Sequence, residues 1–137
     1  MAQTTITHLS AETDAEMLRN AAKLVQGGWT TDSLARNASG ERVRFHKPEA
    51  VCFCTLGAIQ RAVMDGLGGD PELEYTILYD DIVLRLQGFA ASALSDDSRH
   101  WRSIDGVAHW NDTVADQKAA VALLENAATL AASSTTA

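Results

Sequence analysis

The run Glu49-Ala-Val-Cys-Phe-Cys-Thr-Leu-Gly-Ala-Ile-Gln-Arg-Ala-Val63 constrains the fold more than any other part of this chain. Cys52, Leu56, Ile59 and Val63 recur at i, i+4, i+7 and i+11, which is one face of a helix. A helix with an apolar face is stable only when other elements cover that face. Pro48 stands just ahead, where a missing N–H costs little. Two starting points fit: Glu49, or Thr55 if Val51-Cys-Phe-Cys54 is an extended approach. Gly57-Ala58 forms a flat spot where another element can come close. Gly66, Gly68 and Gly69 form the stop.

The same periodicity marks three more helices. Thr13-Asp-Ala-Glu16 reads as a capping box, followed by a stripe of Leu18, Ala21, Ala22 and Val25. Gly27-Gly28 then supplies a cheap helix end. Asp70-Pro71 is a helix start, with Tyr75, Leu78, Tyr79, Ile82 and Leu86 as its stripe and Gly88 as its end. Asn111-Asp112-Thr113 offers caps for a last helix that turns Val114, Val121, Leu124 and Ala128 inward. Trp29 and Trp110, beside helix ends, are expected to be buried on the Cys52–Val63 helix. Only Arg42-Val-Arg-Phe-His46 alternates as a short strand. Ile104 to Trp110 reads as a strand or an ordered turn, and Ser95 to Arg102 as a loop around Trp101. The expected class is mainly α: four helices with at most a two-stranded accessory sheet. Residues 1–8 are expected to be frayed, 9–131 to form a single helical domain and 132–137 to be a disordered tail.

Composition narrows the function classes. Apolar residues make up 46% of 137, enough for a core in one domain. Residues 1–69 carry seven acids and seven bases, so the net charge of −7 comes from the eleven acids and four bases of 70–137. A chain of this charge is not drawn to phosphate backbones, so no nucleic-acid partner is expected. No apolar run approaches the ~20 residues that span a bilayer, so no membrane partner is expected either. The start lacks the basic and apolar blocks of a signal peptide, and two cysteines make no disulfide framework. The expected location is cytoplasmic.

Three constellations could carry chemistry. Cys54 at a helix start, with His109 and Asn111, has the order of a cysteine hydrolase or transferase. The plainer reading is that Cys52 and Cys54 are small core residues and Asn111 a helix cap. Arg42, Arg44 and His46, with Arg36 and Lys47 nearby, could hold an anion or small ligand. They equally suit the solvated edge of a strand. Cys52, Cys54, His46 and His109 lack the paired spacing of a zinc site, and Asp80-Asp81 and Asp96-Asp97 lack that of a calcium loop. No metal is expected, and with no Walker or dinucleotide motif, no cofactor is expected.

Gly28-Trp29, then Cys54-Thr-Leu-Gly-Ala-Ile-Gln-Arg-Ala62, then Trp110-Asn-Asp112, resemble an uncharacterised family of small phage and bacterial proteins. The resemblance spans roughly residues 17–130. It implies a compact cytoplasmic domain, phage-borne, that adjusts its host by binding a protein. Since no motif assembles a full catalytic set, the leading expectation is a non-enzymatic domain that binds a protein partner or forms a homo-oligomer. The cysteine hydrolase centred on Cys54 and the anion site at Arg42 and Arg44 stand as alternatives.

Overall fold

The structure is a computed structural model that describes residues 11–94 and 104–133. Among them are α1 (Ala11–Gly27), β1 (Ala35–Arg36), β2 (Cys52–Phe53), α2 (Thr55–Gly66), α3 (Ile77–Ala93), α4 (Ile104–Thr113) and α5 (Gln117–Ser133). A 3-10 helix, Pro71–Tyr75, lies between α2 and α3. The class is mainly α with a small accessory sheet, as expected, but with five α-helices in the described residues instead of four. No described helix is long and apolar enough to cross a membrane. The expectations for residues 1–8 and for the loop at Ser95 to Arg102 lie outside the described residues. The helix α5 continues to Ser133, into the stretch expected to be tail.

The stripe of α1 is buried as its period requires: Leu18, Ala21, Ala22 and Val25 are all in the core. The helix is described from Ala11, so Thr13 lies within it. Gly27 is its last residue. Gly28 has a different role from the expected one, because its φ is not positive. A Cβ there would sit 2.3 Å from the Val51 carbonyl oxygen. The glycine lets the chain leading into β2 pass against the end of α1. Phe53 N–H donates to Gly28 O at 2.9 Å, and Thr30 N–H donates to Phe53 O at 3.2 Å. The short strands pair antiparallel, Ala35 with Phe53 and Arg36 with Cys52.

The second helix starts at Thr55, not Glu49. Cys54 is its N-cap, with Sγ accepting from Gly57 N–H at 3.2 Å. Cys52 is therefore on β2, and the buried helical face is Leu56, Ile59 and Val63. The flat spot is used as expected: a Cβ on Gly57 would lie 2.0 Å from Leu34 O. The alternating segment Arg42 to His46 does not form a strand. Arg42 makes one isolated bridge to Arg36, and the chain then turns. Arg61 of α2 holds that turn, its Nη1 donating to Phe45 O at 2.8 Å and Lys47 O at 3.1 Å. Phe45 is buried even so.

Asp70-Pro71 starts the 3-10 helix, with Asp70 Oδ1 accepting from Glu72 N–H at 3.0 Å. The helix α3 has its own cap, Thr76, whose Oγ1 accepts from Tyr79 N–H at 3.2 Å. Tyr79, Ile82 and Leu86 are buried, whereas Tyr75 and Leu78 are exposed. Gly88 does not end α3, because Ala90 and Ala91 beyond it are still in the core. Ile104 to Trp110 is helical, and Asn111-Asp112-Thr113 closes α4 instead of capping α5. Asp116 takes the capping bond, its Oδ1 accepting from Ala119 N–H at 2.8 Å. Val114, expected to face inward, is exposed in the connection between the two helices.

The largest helix contact is α1 on α5, followed by α1 on α2 and α3 on α5. Ala15, Ala21 and Ala22 of α1 and Ala120, Ala127, Ala128 and Ala131 of α5 are buried, and such short side chains let helices approach closely. Gln117, at the start of α5, donates its side-chain amide to Val25 O at 2.9 Å and Gln26 O at 3.2 Å. Both are among the last carbonyls of α1, where helical donors run out, and Val25 O also accepts from Gly28 N–H at 3.1 Å. A second tie joins α1 to α3: Arg85 donates to both oxygens of Asp14, at 2.6 and 2.8 Å.

Candidate functional site

Asn111 is 1% exposed and is the centre of a polar knot. Its Oδ1 accepts three bonds: from Trp29 Nε1–H at 3.0 Å, from Thr55 N–H at 3.0 Å and from Thr55 Oγ1–H at 2.7 Å. Its Nδ2 donates to Thr30 O at 3.2 Å and Asp112 Oδ1 at 3.0 Å. Asp112 Oδ1 also accepts from Asp32 N–H at 3.1 Å. Asp32 has φ of 62°, a left-handed conformation that Asp tolerates better than most residues. The three sequence motifs therefore meet in one place. Gly28-Trp29, Cys54-Thr55 and Trp110-Asn-Asp112 join the end of α1, the start of α2 and the end of α4.

An amide offers two donor hydrogens and two lone pairs. Asn111 commits all of them to the knot and keeps none to orient an imidazole. Cys54 lies beside the knot, 7% exposed. Burial raises the pKa of its thiol; bonds from the Gly57 and Leu56 N–H groups pull the other way, and the negative charge of Asp112 adds to the rise. The helix N-terminus is therefore outweighed by desolvation, and the proton stays on sulfur. A hollow of about 230 Å³ adjoins Cys54, lined by Ser33, Leu34, Leu56, Ala108 and Asp112. His109 is exposed on α4. Among the described residues no group of three or more His, Cys, Asp or Glu is placed to hold a metal ion.

The basic cluster is at a different place. Arg44 Nη2 donates to both carboxylate oxygens of Glu74, at 2.8 and 3.0 Å, and its Nε donates to His46 Nε2 at 3.1 Å. Arg36 is turned away into its own loop, bonding Thr30 Oγ1, Thr31 O and Gly40 O. Arg42 and Arg44 line an open groove of about 520 Å³ with Ser33, Leu34, Val43, Phe45 and Glu74. Sequence reasoning named the arginines but missed Glu74, Thr55 and Arg61. Glu74 is 30 residues from Arg44, and nothing local in either segment signals the pairing.

Together the fold and the knot define a small helical domain whose three separated motifs form one buried junction. The chain belongs to DUF6197, a family of unknown function, which it matches over residues 9–130. No curated protein and no solved structure matches it.

Proposed function

We propose that this domain acts by binding a protein partner through the outer face of the 3-10 helix and the first two turns of α3. One observation carries this reading: Tyr75 and Ile77 are 81% and 79% exposed, with Leu84 at 55% and Leu78 at 41%. Scattered single apolar residues are ordinary on a protein surface, but a group on one face marks an interaction site. Residues 70–81 also contain Asp70, Glu72, Asp80 and Asp81, besides the Glu74 that Arg44 pairs, and no base. The complementary partner has an apolar ridge flanked by Lys or Arg. In a two-fold contact this face would oppose acid with acid, so the proposed partner is a different protein. The resemblance to small phage and bacterial proteins supports a phage-borne accessory role in a bacterial cytoplasm. The hydrolase alternative has less support, because Cys54 is buried, its proton is held and Asn111 is fully engaged.

Proteins captured by the immobilised domain are to be purified and titrated against wild type, Tyr75→Ser/Ile77→Ser and Cys54→Ala. A partner on this face loses about 100-fold in affinity with the double variant, as for two central apolar anchors. It keeps its affinity for Cys54→Ala, and it binds more weakly as salt rises. Equal binding of every captured protein to the double variant refutes the reading. So does sedimentation showing a wild-type dimer that this variant dissolves. Fast labelling of Cys54 by a thiol reagent in the folded protein would move the choice to the hydrolase.

A further inference from the structure

We propose that the groove between the 33–45 segment and the 3-10 helix binds a small organic monoacid, a carboxylate carrying an aryl or alkyl group. The groove has a volume of about 520 Å³, within the usual range for one small ligand of ~300–1,000 Å³. Its apolar wall is Leu34, Val43 and Phe45. Phe45 is fixed in the core, whereas Leu34 is 40% exposed and available to a ligand.

The polar groups set the charge of the occupant. Arg42 is exposed, and its guanidinium makes no hydrogen bond or ion pair among the described residues. Arg44 is matched by Glu74 through two bonds. Two guanidiniums and one carboxylate leave a net charge of +1 in the groove, in a chain of net −7. One positive charge beside an apolar wall complements a monoanion with an apolar body. A polyanion meets Glu74 at close range and the field of an acidic protein beyond it. A planar guanidinium suits a carboxylate through two parallel N–H bonds. Glu74 then acts as a selectivity element: by occupying Arg44 it limits the groove to a single negative charge.

The test is an amide-resolved NMR titration of the intact chain with 3-phenylpropionate, 3-phenylpropanol and inorganic phosphate. Phenylpropionate should shift the amides of Leu34, Val43, Arg44 and Phe45. The isosteric alcohol, lacking the charge, should bind about tenfold more weakly, and Arg42→Ala should weaken phenylpropionate by a similar factor. Arg42 is on the surface, so the rest of the spectrum should stay in place and report an intact fold. Glu74→Gln frees Arg44, and should tighten phenylpropionate and bring in phosphate binding that wild type lacks. The proposal is overturned if phenylpropionate leaves the groove amides unmoved, or if the alcohol binds equally well. Phosphate matching phenylpropionate on wild type, or no effect of Arg42→Ala, overturns it too.

Discussion

Asn111 shows how much one side chain can carry. Replacing it with Ala leaves Trp29 Nε1–H and both donors of Thr55 without their acceptor. The expected loss in a urea titration is about 3 kcal/mol, from unpaired donors in a buried site. Asn111→Asp keeps an acceptor but sets a carboxylate oxygen against Thr30 O and Asp112 Oδ1, and should cost about 2 kcal/mol. If either variant unfolds at the wild-type urea midpoint, the knot is not structural.

Tyr79 and Cys54 make a second residue-level prediction. The Tyr79 hydroxyl is buried without a hydrogen-bond partner among the described residues, so Tyr79→Phe should gain about 1 kcal/mol. Burial raises both groups above their ordinary pKa values of 9.0 and 10.0. The folded chain thus keeps protons that the unfolded chain releases. The stabilisation is complete below pH 9.0, is lost progressively above it through Cys54, and more steeply above 10.0 as Tyr79 adds to it. The urea midpoint measured against pH should show this decline. Cys54→Ala should remove its first part and Tyr79→Phe its second.

Between elements, close approach and buried charge decide the outcome. Gly57→Ala puts a methyl 2.0 Å from Leu34 O, a backbone atom that cannot swing aside. Either α2 or the 33–35 segment must move, at a cost of about 2 kcal/mol. Gly66→Ala is the control: its methyl meets the flexible end of Met17, at 2.7 Å, which can swing aside. Thermal melts of the two variants should separate clearly, and equal melting points would refute the contact argument. Arg85→Ala removes the partner of Asp14, a carboxylate only 2% exposed that joins α1 to α3. Since the arginine is 40% exposed on its side chain, water recovers part of the loss. The expected cost is about 2 kcal/mol, below that of a fully enclosed pair.

Across the molecule, stabilising contacts and exposed surface are kept apart. The helices α1, α2, α3 and α5 enclose the core, while the acidic, apolar face of the 3-10 helix and α3 takes no part in it. Tyr75→Ser/Ile77→Ser should therefore leave the unfolding free energy from a urea titration within ~0.5 kcal/mol of wild type, as surface changes do. A large fall in stability would show that these side chains are needed for the fold and are not free for a partner.

Periodicity made the helical class, the stripe of α1 and the buried face of α2 legible, because spacing along a helix is a property of neighbouring residues. The close approach at Gly57 was legible for the same reason, since a missing side chain marks a flat surface wherever it occurs. The length of α3 and the helical state of Ile104 to Trp110 were not, because burial against distant elements overrode the local signals at Gly88 and Gly106. The residues of the knot stood out as separate motifs, but their roles did not. Asn111 had the local look of a helix cap, and it became a junction only when Trp29, 82 positions away, and Thr55, 56 positions away, folded onto it. Arg44 likewise looked free until Glu74 arrived from the 3-10 helix. Hydrogen-bond partners set by chain closure over such distances leave no trace in local spacing, so only the packed fold could assign them.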